Sequence, residues 1–133
     1  MKYIVDTSVW SQALRREPVR PTAETQKLKL LLESGERIFL PGVILQEILQ
    51  GVRQAQQSKK IFEALKYFPL LEAKREDYVF AAELYNQCRT KGFQGATIDF
   101  LIAALAIKNE CILLSADRDF TSIAKHTALK LLT

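Results

Sequence analysis

The stretch KYIVDTSVW, Lys2 to Trp10, decides the fold. Its opening residues, Lys2 to Val5, have the apolar and β-branched character of a strand. That strand stops on Asp6, and two hydroxyl residues, Thr7 and Ser8, follow it. A carboxylate at the carboxyl end of a short strand has two readings. It can belong to a turn before the next helix, Ser8 to Arg15, with Thr7 or Ser8 as the cap. It can also be one ligand of a metal site, and distant segments must then supply the others.

Working outward, short strands alternate with helices. After the loop around Pro18 and Pro21, an amphipathic helix is expected over Ala23 to Ser34, with Leu28, Leu31 and Leu32 on one face and Gly35 as its stop. Arg37 to Leu40 reads as a strand ended by Pro41 and Gly42, and Val43 to Gln50 as a helix stopped by Gly51. Ser58 to Lys66 reads as a helix, Pro69 to Glu72 as a short strand, and Arg75 to Arg89 as a long helix ending before Gly92. Ile98 to Lys108 is a strongly apolar helix with Thr97 as its expected cap. Cys111 to Leu114 reads as a strand, Phe120 to Lys125 as a short helix, and Leu129 to Leu132 as a last strand. This succession predicts an α/β sandwich, a mostly parallel sheet of four to five short strands flanked by helices. In 133 residues there is no repeat and no Pro/Gly/Ser-rich linker, so one domain over 1–133 is expected.

Composition narrows the function classes. Hydrophobic residues at 48% and charged residues at 26% are ordinary for a folded globular chain and argue against disorder. No apolar run reaches the roughly 20 residues that cross a bilayer, so no membrane association is expected. Asp6 interrupts any signal-peptide pattern, and Cys88 and Cys111 lack the spacing of a disulfide framework. A cytoplasmic protein with reduced thiols is expected. The formal charge of +4 permits a polyanionic partner. His126 is the single histidine and reads as a surface residue at a helix end, which argues against a histidine-rich zinc site. Ionisable chemistry must come mainly from carboxylates, lysines and arginines.

In open α/β sheets, ligands bind beyond the carboxyl ends of the strands. Asp6 lies there, and so does Asp117, in LLSADRDF. Asp99 falls in the first turn of the TIDFLIAALAI helix. Singly, each has a plain structural reading: the helix dipole favours Asp99 by about 0.3–1 kcal/mol, and Asp117 suits a turn. Glu47 is harder to explain that way. In PGVILQEILQG it falls on the apolar face defined by Val43 and Ile44. A buried carboxylate needs a lysine or arginine partner, or a bound cation.

Taken in order, IVDTSVW, PGVILQEILQG, TIDFLIAALA and LLSADRDF resemble the succession of a PIN domain, and more narrowly that of VapC-type toxins of bacterial and archaeal toxin–antitoxin pairs. RTKGFQGATID also resembles the family's approach to its third acid. The resemblance runs from Asp6 to Phe120. It implies a PIN-like three-layer sandwich and a metal-dependent endoribonuclease using magnesium or manganese. Its acids would be Asp6, closing the first strand; Glu47, followed by a glycine; Asp99, starting a helix; and Asp117, after the late strand. It further implies a homodimer held inactive by a VapB-like antitoxin, in a heterotetramer or larger complex, with RNA, such as tRNA, as substrate. Asp119 is a possible additional acid, with capping of the helix at Phe120 as its alternative reading.

The chemistry of such residues is consistent with this. Crowded carboxylates repel one another unless cations neutralise them, and hard oxygen donors suit magnesium or manganese. An ion held there activates water and stabilises charge on a phosphate without a histidine. Thr7, Ser8 and Ser115 are placed to hold the acids or a phosphate oxygen by hydrogen bonds. RNA would have to be held by cations around the acids, with Arg15, Arg16, Arg89 and Arg118 as the leading candidates and Arg53, Lys59, Lys60 and Lys91 behind them; binding would then weaken with salt. Two other functions stay open. One is a phosphatase or phosphoacceptor domain built on Asp6, although Ser8 stands where such phosphatases usually carry a second aspartate. The other is a non-catalytic binding module that receives a partner helix near Leu28, Leu31 and Leu32.

Overall fold

Strands β1 (Lys2–Val5), β2 (Arg37–Pro41), β3 (Leu70–Leu71) and β4 (Cys111–Leu114) form one sheet in the order β3-β2-β1-β4. Every pairing is parallel. The computed structural model describes residues 1–15 and 20–133. Parallel neighbours cannot be joined by tight hairpins, so helical segments make each crossover. These are α1 (Thr7–Ala13), α2 (Ala23–Glu33), α3 (Gly42–Gln50), α4 (Ala55–Leu65), α5 (Arg75–Thr90) and α6 (Thr97–Lys108), with α7 (Asp119–His126) after β4.

The middle strands are apolar without alternation because helices cover both faces. Ile4, Val5, Leu113 and Leu114 are all fully buried. From β1 the chain moves outward to β2 and β3, then returns to place β4 on the other side of β1. The reversal falls between β1 and β4, where a crevice opens beyond the carboxyl ends of the strands.

The helices form two packed groups around the sheet. In one, α1 packs on α2 and α3, and α3 on α4 and β2; in the other, α6 packs on α5, α7 and β4. Helix α6 is enclosed, with Phe100, Ile102 and Ala103 to Ala106 all buried, which is why its sequence is apolar on every side. Gly95, just before α6, lies against two aromatic rings that a side chain there would have to displace. A Cβ there would lie 2.9 Å from Phe93 and 3.1 Å from Phe100.

The expected α/β order holds, with local differences. Gly35 does end α2 in the left-handed region, at φ +67°. Leu28 and Leu31 are buried under α1, but Leu32 is 47% exposed and Leu30 61%, because only a narrow stripe of α2 faces the neighbouring helix. The expected last strand, Leu129 to Leu132, is a single parallel bridge between Leu113 and Leu131. The Leu129 amide donates instead to the Thr127 hydroxyl at 3.2 Å, so the ladder does not extend backward. Thr97 does not cap α6; it lies inside the helix, and Ala96 precedes it without a side-chain bond.

Phe100 is 1% exposed and meets Tyr85 edge-to-face at 5.2 Å. Phe100→Ala should therefore cost about 3–5 kcal/mol in urea unfolding. Tyr67, 80% exposed, should stay within about 0.5 kcal/mol of wild type on conversion to alanine.

Candidate active site

The site begins with strand register. Val5 lies opposite Leu114, and the next amide along, that of Asp6, donates to the Leu114 carbonyl at 2.8 Å. Asp6 and Ser115 therefore leave the sheet side by side. The Asp6 carboxylate is 6% exposed. Its Oδ2 accepts the Ser8 hydroxyl at 2.7 Å and the Ser115 hydroxyl at 2.9 Å. Both hydroxyl oxygens accept in turn, Ser8 from the Ala116 amide at 3.1 Å and Ser115 from the Asp117 amide at 3.0 Å. Asp117 Oδ1 then takes the Asp119 amide at 2.9 Å. A continuous chain of hydrogen bonds thus fastens the loop bearing Asp117 and Asp119 onto Asp6.

Thr7 and Ser8 are not caps. Asp6 precedes α1 and makes no side-chain cap bond, while Thr7 and Ser8 lie inside the helix. Their hydroxyls are used across the site instead. Thr7 Oγ1 donates to Glu47 Oε1 at 2.9 Å, tying α1 to α3. Glu47 is half-buried beside Ile44 and Ile48, on the face the sequence indicated. No lysine or arginine pairs with it among the described residues.

Asp99 enters from the first turn of α6 and stands closest to Asp117 and Asp119, with Asp6 and Glu47 outside that group. One carboxylate oxygen from each of Asp99, Asp117 and Asp119 lies within 4.8 Å of the others. Burial raises the Asp99 carboxyl from its ordinary 3.8 to about 6, and repulsion from Asp117, Asp6, Asp119 and Glu47 adds to the rise. None of these causes is an offsetting cation. Asp119 does not cap α7: the helix starts on Asp119 itself, after Arg118, and its side chain stands with the other acids.

The cations are dispersed. Arg118 is exposed between Asp117 and Asp119. Arg15 and Arg53 line a cavity of about 460 Å³ between α1, α3 and α4. Arg89 is held by its own helix, over the Tyr85 ring at 5.8 Å and on Asn86 Oδ1 at 2.9 Å. Arg16 lies outside the described residues. A cation the sequence did not single out, Lys27 of α2, lines a cavity of about 280 Å³ together with Ser115 and Asp117. Only the folded packing of α2 beside the β4 loop brings it there.

Comparison with known proteins accords with this architecture. Residues 3–126 match the PIN domain family model. Ribonuclease VapC11 of Mycobacterium tuberculosis is 31% identical over 129 residues, covering 96% of this chain and 95% of that protein. The structure of VapBC2 from Rickettsia felis, bound to a DNA fragment from its promoter, aligns over 99% of this chain and 98% of that chain, with a TM-score of 0.79 and 20% identity. FitAcB from Neisseria gonorrhoeae aligns over 100% of this chain and 97% of that chain at 0.76 and 20%. VapC20 of M. tuberculosis, a toxin that cleaves the sarcin-ricin loop, aligns over 96% of this chain and 98% of that chain at 0.69 and 16%. The structural likenesses establish the fold, and the sequence match is spread over nearly the whole of both proteins. The chain is a member of the PIN-domain family, of the VapC ribonuclease type.

Proposed function

We propose that this chain is a divalent-metal-dependent endoribonuclease, acting as one catalytic domain and as the toxin half of a toxin–antitoxin pair in the cytoplasm. The observation that carries the reading is the uncompensated charge around Asp99, whose carboxyl is raised to about 6 amid other carboxylates. A cluster of oxygen donors within 4.8 Å, with no cation offsetting Asp99, fits magnesium or manganese. Asp6, Asp99 and Asp117 would hold the ion, with Asp119 beside them, and Glu47 would hold it or orient the attacking water. When bound, such an ion supplies Lewis-acid stabilisation of charge on the phosphate and makes water acidic enough to react near neutrality.

The protein's own groups prepare that chemistry. Ser8 and Ser115 occupy Asp6 Oδ2 and leave its other oxygen free of these two hydroxyls. Thr7 holds one oxygen of Glu47 and leaves the second available to accept from water. Glu47 can take up the water's proton at that oxygen. The relatives' names accord with RNA as substrate: one is a ribonuclease, and another cleaves the sarcin-ricin loop. The VapBC assemblies among the structural neighbours support a VapB-like antitoxin as partner. A phosphoacceptor role for Asp6 fits less well, since its carboxylate is buried and doubly hydrogen-bonded.

Asp99→Asn should lower magnesium- or manganese-dependent RNA cleavage by about 10³-fold or more, through several kcal/mol of lost charge stabilisation. Undiminished cleavage by the purified variant would overturn the assignment. Ser115→Ala should weaken manganese binding by about 10–100-fold in a titration followed by electron paramagnetic resonance.

The Asp99 carboxyl also sets a pH dependence. Between 3.8 and about 6 the folded state holds a proton that the unfolded state has lost. Stability of the metal-free protein should therefore fall as pH rises through that window. Asp99→Asn should flatten the slope, and saturating manganese should reverse it, because the ion displaces the proton. Melting temperatures recorded between pH 4 and pH 7 test all three outcomes.

A further inference from the structure

A phosphodiester substrate needs room beside the reacting phosphate as well as groups around it. The cavity of about 280 Å³ is walled in part by Asp117 of the carboxylate cluster and by Ser115, which hydrogen-bonds Asp6. The larger cavity that holds Arg15 and Arg53 contains none of the clustered acids, and the groove between α5 and α6 offers mostly apolar and aromatic side chains. We propose that the smaller cavity, between α2, the Ser115–Asp117 loop and α7, seats the single-stranded ribonucleotide adjoining the bond that is cut, with Lys27 as its phosphate contact. The proposal rests on the ribonuclease reading above.

The lining suits that ligand. Lys27 and Glu24 stand three residues apart on α2 and both face the cavity. Neither makes an ion pair among the described residues. An ammonium donates to phosphate oxygens, whereas a carboxylate accepts from a ribose 2′-hydroxyl or a base N–H. Thr121 of α7 adds a hydroxyl, and Leu131 and Leu132 an apolar wall. The position of this pair is fixed from two directions. Thr22 and Thr25 close a capping box around the first turn of α2. The Thr22 hydroxyl also donates to Gln12 Oε1 at 3.1 Å, tying α2 to α1 and so to the element carrying Ser8. Lys27 thus adds positive charge beside an acidic centre.

The test uses the full chain, manganese and a short single-stranded RNA, with Lys27→Met and Lys27→Arg beside wild type. Lys27→Met should raise KM about tenfold, as expected for losing a hydrogen bond to a charged group, with little change in kcat. The slope of log(kcat/KM) against log salt should become shallower by about 0.7, one phosphate contact on a single strand. Lys27→Arg should recover most of the KM. Manganese affinity and melting temperature should match wild type in both variants. Glu24→Gln should change which nucleotide is preferred next to the cut.

If wild type cleaves and Lys27→Met keeps its KM and salt slope, the subsite is wrong while the ribonuclease stands. The same holds if manganese affinity falls in step with KM, since Lys27 would then act through the carboxylates. An unchanged KM with weaker antitoxin binding assigns the cavity to a protein partner and also overturns the proposal. Absence of RNA cleavage by manganese-loaded wild type overturns the ribonuclease reading and the subsite together.

Discussion

The parallel pairing of β1 with β4 is the constraint on which the rest depends. Its last hydrogen bond, from the Asp6 amide to the Leu114 carbonyl, sets two chain exits side by side. A slip of one residue would turn every side chain of a strand to the opposite face of the sheet. Both faces of these strands are covered, so the register is held by the ladder and by the polar groups at its end. Ile4, Val5, Leu113 and Leu114, all fully buried, each contribute about 1.5–3 kcal/mol. The parallel ladder thus sets Asp6 beside Ser115. The hydroxyls of Ser8 and Ser115 carry that precision outward to the Asp117 loop.

The acids oppose this stability. Carboxylates are gathered where burial and mutual repulsion both disfavour ionisation, and Asp99 bears the clearest sign of it. The fold tolerates the arrangement because its apolar support is stiff. Asp99 rides on α6, a helix enclosed by β4, α5 and α7, and Phe100 beside it is locked by Tyr85. Gly95 lets the approach to that helix run against Phe93 and Phe100, whose rings a side chain there would displace. Rigidity here serves an electrostatically unfavourable cluster, which binding of a cation would relieve.

Much of this was legible in the sequence, for identifiable reasons. Strand-ending Asp6, helix-opening Asp99 and the post-strand Asp117 stand at positions that local pattern marks, and Glu47 betrays itself by interrupting an apolar face. The hydroxyls were harder to read. A serine or threonine after a strand usually caps the next helix, whereas Ser115 and Asp6 are 109 positions apart and meet only through the sheet. Asp119 was open for the same reason, since its place among the acids depends on how the loop lies. Lys27 carries no local mark at all. Leu32 shares the face of Leu28 and Leu31 yet stands 47% exposed, because helical periodicity fixes which residues share a face, not how wide a strip the neighbour covers.

The margins of the sheet have a further consequence. One edge ends in β3, only Leu70–Leu71 long. At the other, the Leu113 amide and carbonyl are taken by Lys130 and Leu132 around a single bridge. Neither margin offers an extended row of open backbone groups, so the molecule is poorly suited to recruiting a partner as an added strand. Recognition is left to side chains on helices, where Leu30, Leu32 and Phe62 already stand exposed. A protein chain captured by this molecule would be gripped by its apolar side chains rather than zipped along its backbone.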